Sequence, residues 1–195
     1  MATTNVTVGI RGSFFRDNIT TGDANEDIRV SFGNDTVNAG GGNDTVFGEA
    51  GNDVLFGGTG DDFLLGGTGN DQLIGEEGND GLAGQSGNDS LFGGAGNDTL
   101  SGGTGDDLLV AGENDILHGG EGADIFVFDN RATEARILDY SVEDFVLIDL
   151  PGATSRADVE AISTQVGDDL LLDFGDDRTL TIENVTFEDV VFGAA

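Results

Sequence analysis

One apolar residue recurs at every ninth position through the middle of the chain. From Ala39 to Val110 the chain divides into eight nine-residue units, and Val or Leu fills the eighth place of each. Glycine always holds the fourth place and aspartate the sixth, as in GGTGNDQLI and GGAGNDTLS. A disordered acidic linker has no reason to keep such a phase, so the pattern indicates a folded array of repeats.

The same register extends beyond these eight units in both directions. Backwards it passes through VSFGNDTVN, which begins at Val30, and faintly through two earlier units with isoleucine in the apolar place. Forwards it passes through AGENDILH, a unit at Ala111 that is one residue short, and ends with GGEGADIFV at Val127. We therefore expect an array from about Gly12 to Val127, with its best copies between Val30 and Val110.

Each unit predicts one turn followed by one short strand. Six residues rich in Gly and Asn tolerate the positive φ of tight turns, and three more form a strand with one inward side chain. Because so short a strand is unstable alone, units must stack, and two units make one coil of a flattened solenoid with two parallel sheets. The predicted core takes one residue from each unit: Val37, Val46, Leu55, Leu64, Leu73, Leu82, Leu91, Leu100, Leu109, Leu117 and Phe126.

The ninth place follows the inward residue and should therefore point outwards. On one sheet it reads Phe56, Ile74, Phe92 and Val110, and we call these four residues the outer apolar stripe. On the other sheet it reads Phe47, Leu65, Ala83, Ser101 and His118. Two explanations of the stripe stay open: neighbouring residues or the C-terminal segment shield it, or it contacts a second copy or another protein.

Charge excludes some classes of partner. The chain has 38 acidic and seven basic residues, a formal charge of −31, and no cysteine. We expect no binding to nucleic acid and none to anionic membranes, and the chain has no disulfide or thiolate metal site. No apolar run approaches the roughly 18 residues of a membrane span, so membrane insertion is not expected. The N-terminus lacks the basic and apolar regions of a signal peptide.

The sixth-place aspartates predict a bound cation. Stacking brings those of successive coils to within about 5 Å of one another in two columns. No Lys or Arg lies between Val30 and Val127 to neutralise them. Aspartate and carbonyl oxygens suit a hard divalent ion, and calcium accepts loose, carbonyl-rich geometry better than magnesium does. In the alternative, each aspartate only caps its own turn, which leaves the missing counter-charge unexplained.

The nine-residue units resemble the GGxGxDxUx repeat, with U apolar, of the RTX (repeats-in-toxin) hemolysin-type calcium-binding proteins. The resemblance covers about Val30 to Val127. It implies an all-β fold, a right-handed parallel β-roll with calcium between each turn and the turn two units later. The first turn would give its sixth-place Asp and the carbonyls of places two and four. The later turn would give its Asp and the carbonyls of places one and three.

Carried onto this chain, the resemblance implies about eight calcium ions. The implied aspartate ligands are Asp35, Asp44, Asp53, Asp62, Asp71, Asp80, Asp89, Asp98, Asp107, Asp115 and Asp124. The implied carbonyl ligands of the first place are Gly48, Gly57, Gly66, Gly75, Gly84, Gly93, Gly102 and Gly119, and those of the second are Ser31, Gly40, Gly58, Gly67 and Gly103. Those of the third place are Ala50, Thr59, Thr68, Glu77, Ser86, Ala95, Thr104 and Glu121, and those of the fourth are Gly33, Gly42, Gly51, Gly60, Gly69, Gly78, Gly87, Gly96 and Gly105.

Three departures from the repeat affect individual sites. Glu76 and Gln85 replace the second-place glycine, which strains the backbone angle more than it removes a ligand. The short unit weakens the case for a site between Asp98 and Asp115. Glu26 stands at a sixth place, which weakens the case for any site before Val30.

After Val127 the nine-residue phase stops and the sequence changes character. It predicts strands at Asp144–Leu150, Asp169–Phe174 and Thr179–Val185, a hairpin turn at Gly175–Asp177 and a short helix after an N-cap at Ser155. We therefore expect three domains: an N-terminal cap with degenerate repeats (1–29), the array (30–127) and a C-terminal β-rich capping domain (128–195).

The segment after the array resembles the tails of serralysin-type proteases and alginate epimerase modules. In those families the extreme C-terminus carries an uncleaved signal for type I secretion, and the final FEDVVFGAA is similar in character. The alternative is a plain last edge strand.

The sequence predicts a non-enzymatic protein. It contains no H-E-x-x-H motif, nucleophile elbow or phosphate loop. We expect a secreted or cell-surface calcium-binding protein or module whose folding is driven by calcium and which serves as a scaffold for folding and type I secretion. Two alternatives stay open: a module that binds polysaccharide or a surface, and an accessory domain of a separate secreted enzyme.

Overall fold

The computed structural model describes residues 8–129, 132–149 and 155–194, and the regular secondary structure of these ranges is all β-strand except for one short helix. The strands of the first part are β1 Val8–Arg11, β2 Asn18–Thr20, β3 Glu26–Arg29, β4 Thr36–Gly41, β5 Thr45–Ala50, β6 Val54–Thr59, β7 Phe63–Thr68, β8 Gln72–Glu77, β9 Gly81–Ser86, β10 Ser90–Ala95, β11 Thr99–Thr104, β12 Leu108–Ala111, β13 Asp115–Glu121 and β14 Ile125–Asp129. They are followed by β15 Glu134–Ile137, β16 Phe145–Asp149, α1 Arg156–Ala161, β17 Ser163–Val166, β18 Asp169–Gly175, β19 Arg178–Ile182 and β20 Phe192–Ala194.

Successive strands alternate between two sheets. The first sheet begins with β1, β3, β5 and β7 and continues through the odd strands to β15, while the second contains the even strands from β2 to β16. Each strand pairs in parallel with the strand one coil later, so that Leu55 lies opposite Leu73 and Leu73 opposite Leu91. The solenoid with two parallel sheets predicted from the nine-residue period is therefore confirmed, as is the parallel β-roll that the RTX resemblance implies; its right-handed sense stays a prediction.

The core of the roll is narrow, because each regular unit contributes one large apolar side chain to it. All eleven residues of the predicted core are buried, none of them more than 2% exposed. The outer apolar stripe runs along the second sheet, because Phe56, Ile74, Phe92 and Val110 follow one another in register. Its side chains are partly exposed, which confirms that the ninth place points outwards.

The C-terminal strands continue both sheets. β15 pairs with β13, β16 pairs with β14, and β20 pairs with β16, all in parallel. The first sheet continues from β15 to the parallel strand β19 and ends with the antiparallel strands β18 and β17. The domain boundaries at 29/30 and 127/128 stay a prediction; strands on the two sides of each boundary pair with one another.

The structure contains the helix, the hairpin turn and the strands predicted after the array, with some differences in strand bounds. Ser155 caps α1 by accepting the N–H of Asp158, and Asp176 and Asp177 adopt positive φ in the turn between β18 and β19. Arg136 pairs with Glu183. Strand β16 begins at Phe145, one residue after the predicted start at Asp144, and Leu150 lies outside the described residues, as does Ala195 of the predicted signal. Strand β19 ends at Ile182, short of the predicted end at Val185. Within the ranges described, no helix has the length and apolar character that crossing a membrane needs.

Candidate metal centre

The sixth-place aspartates lie at the two edges of the roll, where the chain crosses from one sheet to the other. One column contains Asp35, Asp53, Asp71, Asp89, Asp107 and Asp124, and the other contains Asp44, Asp62, Asp80, Asp98 and Asp115. All of these side chains are at most 3% exposed. The array thus buries two rows of carboxylates, although buried charges are normally paired.

The two oxygens of each carboxylate differ in their surroundings. Oδ1 accepts the main-chain N–H of the aspartate one coil earlier; for example, the Asp62 N–H donates to Asp80 Oδ1 at 2.8 Å. Oδ2 is buried with no hydrogen-bond donor. Among the described residues this holds for Asp35, Asp44, Asp53, Asp62, Asp71, Asp80, Asp89, Asp98, Asp107 and Asp124, and for Oε2 of Glu26. Each of these oxygens requires a cation or a proton.

Main-chain carbonyls approach the same oxygens. A Cβ atom at Gly57 would lie closer than 3.0 Å to both Asp62 Oδ2 and the carbonyl oxygen of Gly75. Gly75 holds the first place of the turn one coil later, which is a carbonyl position implied by the RTX resemblance. Equivalent pairs of oxygens are Asp53 with Gly66, Asp80 with Gly93 and Asp107 with Gly119. The glycine without a side chain therefore leaves a space bordered by oxygen atoms from two turns.

Burial makes the charged carboxylates costly. It raises the pKa of Asp62, Asp71, Asp107 and Asp115 to about 7. It raises the pKa of Asp44, Asp53, Asp80 and Asp124 to about 6. The hydrogen bond from the main chain lowers the pKa in each case, but less than burial raises it. A divalent cation beside Oδ2 would remove this cost by supplying the missing positive charge.

The donor chemistry fits calcium. Nowhere in the described part of the chain do three or more His, Cys, Asp or Glu side chains gather as a metal cluster. Each pair of stacked turns offers two carboxylates, so any further ligands must be carbonyls or water. Such an all-oxygen set suits calcium and does not suit zinc. The individual ligand assignments stay predictions.

Two departures from the repeat leave their mark on the geometry. Glu76 and Gln85 adopt φ values of 81° and 80°, so the strain predicted at the second place is present. Asp115 in the short unit accepts the Asp98 N–H at 3.0 Å, which keeps the column continuous. Its Oδ2, unlike those of the regular units, accepts the N–H of Gly112 at 2.6 Å.

The fifth place has a structural role that the sequence analysis did not predict. Asn or Asp fills it in all eight regular units, and its Oδ1 accepts the main-chain N–H of the equivalent residue one coil later, except at Asn97, which accepts the side-chain amide of Asn114. Asn52 accepts from Asn70 at 3.0 Å, and Asp61 accepts from Asn79 at 2.9 Å. These two ladders hold successive turns in register. The constant Asn or Asp beside each sixth-place Asp was the signal in the sequence.

Comparison with known proteins identifies the repeat family. The family model of the RTX calcium-binding nonapeptide repeat matches residues 20–55, 47–82, 56–91, 83–113 and 111–130, which together make up more than half of the chain. Among solved structures, the extracellular lipase LipA from Serratia marcescens matches with 19% identity and a TM-score of 0.38. That match covers 97% of this chain, which spans only 40% of the lipase. No curated protein sequence matches.

Proposed function

The chain belongs to the RTX calcium-binding nonapeptide repeat family, and from this premise we propose that calcium binding drives its folding. The observation that carries the proposal is the row of buried Oδ2 atoms without donors at both edges of the roll. Without a cation, folding would bury those carboxylates either as uncompensated charges or, at lower pH, in the protonated form. Folding and binding are therefore one equilibrium.

Main-chain N–H groups and first-place glycines have different roles in this mechanism. Main-chain N–H groups hold each Oδ1, which fixes the carboxylate plane and directs Oδ2 towards the turn one coil later. Glycine at the first place leaves room for an ion between Oδ2 and the carbonyls. Bound calcium would supply the positive charge that these oxygens lack. We propose about eight such ions, held by the ligands that the RTX pattern implies.

A calcium titration followed by circular dichroism tests the proposal. In excess chelator the chain should be largely disordered, and β signal should appear cooperatively as calcium rises. Magnesium at the same concentrations should do far less, because it resists the carbonyl-rich geometry. Equal β content in chelator and in calcium would refute calcium-driven folding.

We further propose that the protein acts outside the cell as a non-enzymatic scaffold. Sites of the extracellular class have Kd values of about 10⁻⁴ to 10⁻³ M, so the chain would stay unfolded in the cytosol during export and fold outside. Type I secretion through a C-terminal signal fits this order of events. A chain without its last ten or so residues should then remain inside a cell that exports the full-length chain.

Two controls make the export experiment decisive. The purified truncated chain must still fold in calcium, because β20 pairs with β16 and its loss could act on folding instead. Mass spectrometry of the exported full-length protein should find the N-terminal sequence intact. Normal export of the truncated chain, or a processed N-terminus, would point to another route.

The outer apolar stripe supports a second candidate function, self-association. It lies on a sheet face of a chain with a formal charge of −31, where bare apolar residues are unexpected. Replacing Phe56 and Phe92 with Ser should leave calcium-dependent folding nearly intact and abolish association in analytical ultracentrifugation. A wild type that stays monomeric at high concentration in calcium would contradict self-association.

Binding to a glycan array in calcium would instead favour the polysaccharide-binding alternative.

A further inference from the structure

A column of aspartates continues beyond the last repeat. Asp144, in the segment after the array, accepts the N–H of Asp124 through Oδ1 at 3.0 Å, as every sixth-place aspartate does for the coil before it. It is 4% exposed. The strands that follow the two aspartates also pair, with Ile125 opposite Phe145 and Phe126 opposite Val146. The stretch DYSVEDFVL, from Asp139, thus occupies the place of one more unit.

Asp124 has a buried carboxylate oxygen without a donor, and the extra turn would supply the other ligands of an ion bound to that oxygen. In the array, the Oδ2 of one turn lies beside the first-place carbonyl of the turn one coil later, as Asp107 does with Gly119. Asp124 occupies the same position in its own turn, with Oδ2 against Gly119. That Oδ2 is buried and has no hydrogen-bond donor. The turn one coil later, which it should face, begins at Asp139.

We propose that the turns Gly119–Asp124 and Asp139–Asp144 bind a further calcium ion, through the carboxylates of Asp124 and Asp144 and main-chain carbonyls. We call this the junction site, and the proposal rests on the proposed function. It adds an ion to the number that the nine-residue phase predicts. Because β16 begins directly after Asp144, the junction site would link the array to the strands that follow it.

The other contacts of this turn leave the two carboxylates available. Asp144 Oδ2 accepts the Ser141 N–H at 2.6 Å, and a carboxylate oxygen with a second lone pair can still bind a cation. The carboxylate of Asp139 is already engaged: it accepts the N–H groups of Gly119 and Gly120 at 2.9 and 2.8 Å and lies 2.8 Å from His118 Nδ1. Asp139 therefore fastens the turn to the array. The junction site keeps two carboxylates, as in the repeats.

Counting bound ions tests the junction site directly. Asp144→Asn keeps an acceptor for the Asp124 N–H but removes the charge, so native mass spectrometry in calcium should find about one ion fewer per chain. Glu143→Gln removes a charge from the neighbouring exposed residue and should bind as many ions as the wild type. Circular dichroism in calcium must show that both variants fold.

Tyr140 offers a second, local measurement. It is the sole tyrosine of a chain without tryptophan, and its hydroxyl donates to the carbonyl oxygen of Asp144 at 2.8 Å. Terbium bound in the junction site should therefore emit when the tyrosine is excited, and transfer from more distant repeats should be much weaker. Asp144→Asn should lose more than half of this emission, Glu143→Gln should retain it, and calcium should quench it by displacing terbium.

The outcomes separate this proposal from the function on which it rests. An unchanged ion count and unchanged terbium emission in Asp144→Asn would overturn the junction site alone. A wild type that binds no calcium at all would overturn calcium-driven folding. If Asp144→Asn does not fold, the wild type decides, because terbium at saturation without tyrosine-sensitised emission would overturn the junction site.

Discussion

The repeat array and the segment after it are stabilised in different ways, although their strands belong to the same two sheets. Inside the array, most strands bury a single large inward side chain such as Leu73, and every sixth-place aspartate except Asp115 buries a carboxylate oxygen without a donor. After Asp124, the described residues contain no such orphaned oxygen. They bury larger and more varied side chains, and Phe128 stacks on Phe174 with ring centroids 4.9 Å apart.

This contrast shows where the cation is needed. A segment that buries several apolar side chains around one centre can be stabilised by the hydrophobic effect alone. A coil that buries one side chain per strand cannot offset the entropy of its ordered turns in the same way. The array therefore has to gain stability from its turns, which are the parts that carry the carboxylates.

The largest expected effect distinguishes the two cores. Phe128→Ala should lower the free energy of unfolding in saturating calcium by about 3 to 5 kcal/mol, because it leaves a cavity among buried side chains. The number of bound calcium ions should not change. Urea unfolding and native mass spectrometry measure the two quantities, with Val142→Ala, at a residue 82% exposed, as the control. Loss of several ions in Phe128→Ala would mean that the two regions are not stabilised separately.

A second pair of variants isolates the carboxylate in the turn. Asp62→Asn should cost about 1 to 3 kcal/mol at a fixed calcium concentration, because it weakens the ligand set of two neighbouring ions. Asp61→Asn is the matched control: Asp61 is exposed, and most other units carry Asn at this place. The midpoint of a calcium titration should rise for the first variant only. Equal midpoints would contradict the assignment of the sixth place as the ligand.

Acid should act oppositely on the calcium-free and calcium-bound arrays. Burial raises the pKa of Asp62 and Asp71 from 3.8 to about 7, so the calcium-free folded state binds more protons than the unfolded state. Its stability should therefore fall as pH rises from about 4 to 7. Calcium requires the ionised form, so lowering pH from about 7.5 to 6 should raise the calcium midpoint a few-fold. Calcium titrations at the two pH values measure the midpoint, and circular dichroism in chelator at low pH measures the calcium-free fold. A calcium midpoint independent of pH would contradict binding through ionised aspartates.

The smallest expected effect is a gain in stability. Gln85 adopts φ 80°, where a side chain is strained, so Gln85→Gly should stabilise the array by about 1 kcal/mol. Gln72→Gly, in strand β8 where φ is not positive, should destabilise it by about 0.5 to 1 kcal/mol. Urea unfolding in calcium gives both values. A loss of stability in Gln85→Gly would mean that its side chain makes a contact that outweighs the strain.

The nine-residue phase was sufficient to predict the array. It identified the inward residues, the two sheets and the outer stripe, because every unit repeats the same turn and every error of register would expose a row of leucines. The sixth-place Asp could be predicted as a cation ligand because it recurs in every unit and no basic residue lies nearby to neutralise it. The family match then confirmed the calcium-binding repeat.

The continuation of the sheets after the array could not be predicted in this way. Asp144 follows Asp124 by 20 residues instead of the 18 of a regular coil, so a search for a fixed period stops at Val127. The chain between them contains β15, whose Ala135 stands opposite Asp115 and offers no carboxylate. The hydrogen bond from Asp124 to Asp144 and the pairing of the strands that follow them show that the column goes on. The fifth-place ladder was missed for another reason, because Asn in a turn is already explained by local conformation.

The alternation of strands between two sheets sets the step in which such an array can lengthen or shorten. An insertion of nine residues would move every later strand to the opposite sheet, so β15 and β16 would reach the wrong partners. An insertion of 18 would restore every partner, since Asp53 and Asp71 already stand that far apart. Loss of one residue inside a turn is tolerated, as the 17-residue spacing from Asp98 to Asp115 shows. Duplications that survive selection should therefore add whole coils, while small deletions should collect in the turns.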